Sequence, residues 1–181
     1  MGKIWRRILI GIIILGAIIG IMGKLLEPGE YTNTKSRTNT ECTITQRVLD
    51  EADKLTKEQE KSLEALIAEK EQLIGCDIVI LTINEPSLNS YDEIRDYAQA
   101  YYEDNKFGWN KANGDGIIYV DDWATGYTWM CTTGLAKTRL DDTDTEQIVD
   151  SANEIVNDNP YEAYTSVVNN AATMIQTGRS S

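Results

Sequence analysis

The chain has 181 residues and a formal net charge of −12, with 29 acidic residues against 17 basic ones and no histidine. Lack of histidine excludes serine–histidine triads, histidine phosphatases, imidazole acid–base catalysis and histidine-ligated zinc. Residues 31–181 carry −14, because Lys3, Arg6, Arg7 and Lys24 outweigh Glu27 and Glu30 by two; a domain so acidic repels nucleic acid and anionic headgroups and attracts cations.

Residues 1–26 place Lys3, Arg6 and Arg7 ahead of an apolar run from Ile8 to Gly23. With Leu25 and Leu26 the stretch has the roughly 20 residues that a membrane-spanning helix needs. Ile21-Met22-Gly23 is a poor signal-peptidase site, so the reading is an uncleaved signal anchor rather than a removed leader. Its flanking basic residues stay in the cytoplasm, and the acidic domain lies on the other side of the cell membrane. Residues 27–45 are rich in Thr, Asn, Ser and charge and read as an extended, poorly ordered tether. Residues 46–177 then form one domain, and 178–181 a short tail.

Arg47 to Asp53 leads into the first predicted helix. Thr56 and Gln59 make a capping box; Leu63, Leu66, Ile67, Leu73 and Ile74 give its core stripe, and Gly75 ends it. Ile78 to Ile83 is apolar except for Thr82, as in a strand buried on both faces. Ser90 and Glu93 predict a second capping box. Ile94, Tyr97, Ala98, Tyr101 and Tyr102 follow helical spacing, with the tyrosines as core residues rather than a ligand-stacking ladder.

Gly116 to Asp122 reads as the central strand. With the preceding helix and strand it makes a right-handed βαβ unit. Tyr127 to Thr133 alternates like an antiparallel neighbour, so the sheet is mixed. Thr143 and Glu146 predict a third capping box, and Asn159-Pro160 starts the last helix. Helices before, between and after strands imply a three-layer α/β/α sandwich. Cys42, Cys76 and Cys131 form no Cys-x-x-Cys pair; Cys76 and Cys131 are either small buried residues or a disulfide.

The central strand has acidic residues at both ends. Asp115 and Asp121 are six residues apart, and a strand of that length spans roughly 20 Å, too far to share one ion. One end gathers Asn113 and Asp115. The other gathers Asp121, Asp122 and, from before the first helix, Asp50; it is the carboxyl end of the parallel strands, where open α/β sheets bind ligands. Oxygen ligands favour Ca²⁺ ahead of Mg²⁺. Lys111 to Asp122 is no helix–loop–helix calcium loop, because Lys111 replaces the first acid and Asp122 the last glutamate.

Residues 47–176 resemble the TPM domain family. The resemblance rests on Val48-Leu-Asp50 before a helix opening at Leu55-Thr56, on Asp77 to Thr82, Gly116 to Asp122 and Gly134-Leu135, and on Pro160-Tyr-Glu-Ala163. It implies a Rossmann-like sheet in an α/β/α sandwich. Plant members are linked to acid phosphatase activity and photosystem II repair, some members bind calcium, and an animal member is a receptor accessory protein. Asp50, Asp121 and Asp122 match the family's pattern directly. Asn113 or Gly114 stands where the family has Asp, Thr132-Thr133-Gly134 replaces Gly-Tyr-Gly, and Trp123 replaces an arginine, departures that count against phosphatase chemistry. The combined reading is a membrane-anchored, extracytoplasmic, divalent-cation-binding accessory or interaction module. A membrane protein is its expected partner and nucleic acid is not. The alternative is a metal-dependent phosphatase.

Overall fold

The computed structural model describes residues 34–178. The expected membrane span, residues 27–33 of the tether and residues 179–181 of the tail lie outside them. Among the described residues no helix is long and apolar enough to cross a membrane.

Four strands, β1 (Val48–Asp50), β2 (Asp77–Ile83), β3 (Gly116–Asp122) and β4 (Thr128–Thr133), lie side by side in sequence order. β1, β2 and β3 run parallel and β4 antiparallel. Five helices accompany them: α1 (Lys57–Ile74), α2 (Tyr91–Asp104), α3 (Gly134–Arg139), α4 (Asp142–Asn153) and α5 (Pro160–Thr177). Ile94, Ala98 and Tyr102 of α2 pack with Val79, Leu81, Ile118 and Val120 on one face of the sheet. Residues of α1, α4 and α5 pack with Ile78, Ile80, Ile117 and Tyr119 on the other. The expected α/β class and mixed sheet are what the chain forms, with helices on both faces.

Every residue of β2 and β3 is buried, as continuous apolar runs require when both faces are covered. The caps of α1 and α5 fall where their residues predict: Thr56 and Gln59 exchange hydrogen bonds, and Asn159 caps a helix that opens on Pro160. The start of α4 differs. Asp141 and Asp144 form the capping box, ahead of the expected Thr143 and Glu146. A carboxylate accepts from the helix N-terminus at least as well as a hydroxyl, and the earlier acid pair begins the turn first. The three residues of β1, read as a lead-in to α1, pair with Ile80, Leu81 and Thr82. All three cysteines are free thiols.

The described part of the tether is bound to the domain. Lys35 N–H donates to the Gln72 carbonyl at 2.8 Å, and the Asn39 amide donates to the carbonyls of Lys106 and Gly108, each at 2.8 Å. The deepest attachment is ionic. Asp77, fully buried, binds the Arg37 guanidinium, lies 3.6 Å from Arg47 Nη2 and accepts from Gly108 N–H at 2.7 Å. Arg47 also donates to Glu71 at 3.0 Å, and Glu71 accepts from Ile78 N–H at 2.8 Å. Polar composition suggests a free linker; the partners that hold it, Gln72, Asp77, Lys106 and Gly108, lie far along the chain.

Removing one member of such a cluster strands the others. Asp77→Ala is expected to cost about 3–5 kcal/mol in urea unfolding. Burial outweighs the attraction of Arg47 and pushes the Glu71 carboxyl from 4.5 to about 7. Between those two pH values the folded chain holds a proton there that the unfolded chain has lost, so stability falls as pH rises through the window. The slope should be shallower in Glu71→Gln than in the wild type, and unfolding at stepped pH reads the difference.

Candidate functional site at the carboxyl edge

Strand register brings one transverse row of side chains to the carboxyl ends of the parallel strands. Asp50 is level with Thr82, Thr82 with Asp121, and Asp121 with Thr128. The row two residues earlier is apolar: Val48, Ile80, Tyr119 and Met130. The period-two alternation puts both rows on the face covered by α1 and α5. The core therefore gives way to a polar rung spanning all four strands.

Asp50 is fully engaged within the fold. Its carboxylate accepts from the N–H groups of Lys54 at 3.1 Å and Leu55 at 2.7 Å and from the Thr82 hydroxyl at 2.5 Å. Thr82 in turn accepts from Ala52 N–H at 3.1 Å. The carboxylate thus fixes the turn between β1 and α1.

Asp122 points to the opposite face from Asp121, as the alternation dictates. It accepts from the N–H groups of Glu85 at 2.9 Å and Ala124 at 3.1 Å and from the Thr125 hydroxyl at 2.6 Å. It ties the loops that follow β2 and β3 together.

Asp121 differs from both. Tyr164 of α5 donates its hydroxyl to Asp121 Oδ2 at 2.6 Å, and Trp123 Nε1–H donates to the same hydroxyl at 3.0 Å. Lys54 Nζ lies 4.2 Å from the centre of the Trp123 ring. Burial pushes the Asp121 carboxyl up to about 6, against the hydrogen bonds from Tyr164 and Trp123. Beside it lies a cavity of about 210 Å³ lined by Gly126, Thr128, Asn153 and Asn157 among others. The Thr128 hydroxyl and the Asn153 amide are hydrogen-bonded, with Asn153 Nδ2 at 3.0 Å. The Tyr119 hydroxyl, on the same face of β3, is buried and unpartnered among the described residues.

The amino end of β3 is a folded turn. Asn113 adopts φ 55°, a left-handed conformation that asparagine tolerates, and Asn110 Oδ1 accepts from Asp115 N–H at 2.9 Å. Asp115 accepts from Leu135 N–H at 2.8 Å at the start of α3, where Gly134 at φ 55° lets the backbone close against it. Among the described residues no three Asp, Glu or Cys side chains group closely enough to hold a metal ion. Of the five residues expected as ligands, Asp50 and Asp122 spend their carboxylates on main-chain N–H groups and hydroxyls, Asp115 accepts from Leu135 N–H, Asn113 sits in the turn, and Asp121 lines the cavity beside Asp122. The oxygen donors around it suit a hard cation held weakly by one charged ligand.

Tyr164, Thr128 and Asn153 escape a reading by sequence. Tyr164 falls on the apolar stripe of its helix, and nothing local marks it as the partner of Asp121. Thr82 did carry a signal, as the sole polar residue of an apolar strand.

A mixed sheet with helices on both faces and a polar rung at its carboxyl edge defines an α/β domain. The family model of the TPM domain matches residues 48–174, and the chain belongs to that family. Two solved structures are similar. The N-terminal domain of the cg2496 protein from Corynebacterium glutamicum is 14% identical with a TM-score of 0.49, covering 83% of this chain and 91% of that one. The N-terminal domain of a protein from P. gingivalis is 15% identical with a TM-score of 0.47, covering 74% of this chain and 81% of that one. No curated protein matches.

If Asp50 is a structural cap, Asp50→Ala leaves Thr82 and two N–H groups without their acceptor and should destabilise the domain by about 1–3 kcal/mol in urea unfolding. Asp50→Asn, which keeps one acceptor oxygen, should lose less.

Proposed function

We propose that this TPM domain is a membrane-anchored, extracytoplasmic accessory module that binds Ca²⁺ at the carboxyl edge of its sheet. The observation that carries the reading is Asp121: a buried carboxylate, held by the Tyr164 hydroxyl, that lines a cavity with Thr128, Asn153 and Asn157. Thr128, Asn153 and Asn157 would complete the ligand set with neutral oxygens. A single carboxylate gives low affinity, in the range of extracellular calcium modules. The acidic surface raises the local cation concentration. Mg²⁺ fits less well, because it demands regular octahedral geometry and gives up water reluctantly. The anchoring rests on the basic-flanked apolar run at the N-terminus. The accessory role rests on the residues at hand: the edge has no histidine, and every cysteine is an unpaired thiol away from it. Burial raises the thiols of Cys76 and Cys131 to about 12 and about 11, which suppresses the thiolate a nucleophile needs.

Calorimetric titration of the full chain in detergent micelles tests this. Ca²⁺ should bind with a Kd of about 10⁻⁴–10⁻³ M, and Asp121→Asn should abolish the heat while leaving the fold intact. Absence of both heat and thermal stabilisation at millimolar Ca²⁺ would sink the cation-binding reading. Metal-dependent turnover of a chromogenic phosphate ester, lost in both Asp121→Asn and Asp122→Asn, would put the phosphatase alternative in its place.

A further inference from the structure

The two edges of the sheet are treated differently. On the β1 side the strand is three residues long, and Glu64 of α1 accepts from the N–H groups of Arg47 and Val48 at 2.6 and 2.7 Å. Short length and a covering carboxylate are common ways of blunting an edge.

β4 has neither. Its six residues, Thr128 to Thr133, include no charge and no proline, and they pair with β3 one to one without a bulge. Asp122 N–H donates to the Tyr127 carbonyl at 2.9 Å, which makes that pair a hydrogen-bonded one. Alternation along an antiparallel ladder then turns Trp129, Cys131 and Thr133 toward β3 and leaves the N–H and C=O groups of Thr128, Met130 and Thr132 facing outward. Those main-chain groups have no hydrogen-bond partner among the described residues.

This edge is the floor of a groove of about 960 Å³, walled by α2 through Tyr91, Arg95 and Gln99 and by α4 through Glu146, Val149 and Asp150. Its charge is acidic. Glu103, Asp142, Glu146 and Asp150 line it, against Arg95 and Lys137. Arg95 is already paired with Asp92 at 2.5 Å and Asp96 at 2.9 Å, while none of the four carboxylates makes an ion pair among the described residues. Asp142, Glu146 and Asp150 stand one turn apart on one helix face, about 6 Å between neighbours. In an extended chain every second residue faces the same wall, about 6.6 Å from the next. The two spacings match.

We infer that the groove takes an extended segment of a partner protein as a fifth strand on β4, with Lys or Arg at alternate positions facing α4. Main-chain hydrogen bonds to Thr128, Met130 and Thr132 supply the docking, and the carboxylates of α4 select the sequence. Tyr91, 63% exposed at the mouth of the groove, offers an aromatic face to the intervening residues. This deepens the reading of the domain as an accessory module by giving that role a surface and a partner chemistry. It does not require the cation.

The test uses the full chain in detergent micelles, first with chelator. The probe is a capped heptapeptide, Thr-Lys-Val-Lys-Val-Lys-Thr, with a control carrying Glu for each Lys. Backbone amide NMR should show the Thr128, Met130 and Thr132 signals shifting on addition of the Lys peptide and their hydrogen exchange slowing at least about tenfold, as new strand hydrogen bonds require. The Glu peptide should bind at least about tenfold more weakly, and the exposed double variant Glu146→Lys, Asp150→Lys should reverse that preference. Three results overturn the inference: no response of these amides to the Lys peptide, equal binding of both peptides, or a preference that survives the charge reversal. Protection of the same amides that rises with protein concentration alone also overturns it, by giving the groove to a second copy. Repeating the titration with Ca²⁺ separates the two proposals, since loss of peptide binding with calcium heat retained removes only the groove.

Discussion

The buried ion cluster around Asp77 is the interaction on which the rest of the domain depends. Asp77 opens β2, yet its carboxylate is spent on Arg37, Arg47 and the Gly108 N–H. Arg47 precedes β1, and its guanidinium reaches Glu71 near the end of α1 and stacks 5.5 Å from the Phe107 ring. One fully desolvated carboxylate therefore joins the N-terminal segment, the first strand, the first helix, the second strand and the loop before the third. Burying charges in this way is costly, and the cost is recovered only when every partner is in place. The cluster ties the start of β1 to the start of β2, where the two strands share register with β3 and β4.

From that register follows the division of the sheet into an apolar middle and a polar end. Val48, Ile80, Tyr119 and Met130 make one row, and Asp50, Thr82, Asp121 and Thr128 make the next on the same face. Within the polar row the carboxylates serve different ends. Asp50 meets main-chain donors from the turn that follows β1, so its charge is consumed in shaping that turn. Asp121 meets the hydroxyl of Tyr164, because α5 lies over it. Elements arriving from far along the chain thus decide which acid shapes a turn and which is buried against a helix.

That dependence explains what could be read from sequence. Helices with caps and stripes inside one segment were legible, as were β2 and β3, whose apolar runs need no partner to be recognised. The start of α4 moved because two candidate capping pairs, Asp141 with Asp144 and Thr143 with Glu146, overlap there, and local chemistry separates them poorly. β1 was hidden because three residues carry too little periodicity. The binding of residues 34–46 to the domain was hidden because it rests on Asp77, an acid that a sequence presents as surface charge, and on main-chain carbonyls far along the chain. The same applies to the candidate ligands. An aspartate at a strand end looks alike whether its oxygens meet backbone N–H groups or a tyrosine hydroxyl, and only the packed structure distinguishes Asp122 from Asp121.

The order of the strands across the sheet, identical to their order along the chain, has a consequence for assembly during synthesis. Each strand adds beside the one made just before it, so the sheet grows from one edge without a gap held open for a later insertion. The face under α2 is complete once β4 has been made, for all its partners precede that point. The opposite face waits for α5, the last helix to emerge, whose Tyr164 and Val168 fill the core between β3 and α1. Until those final residues arrive the nascent domain is covered on one side and bare on the other. It is during that interval, rather than in the finished fold, that its apolar surface most needs shelter.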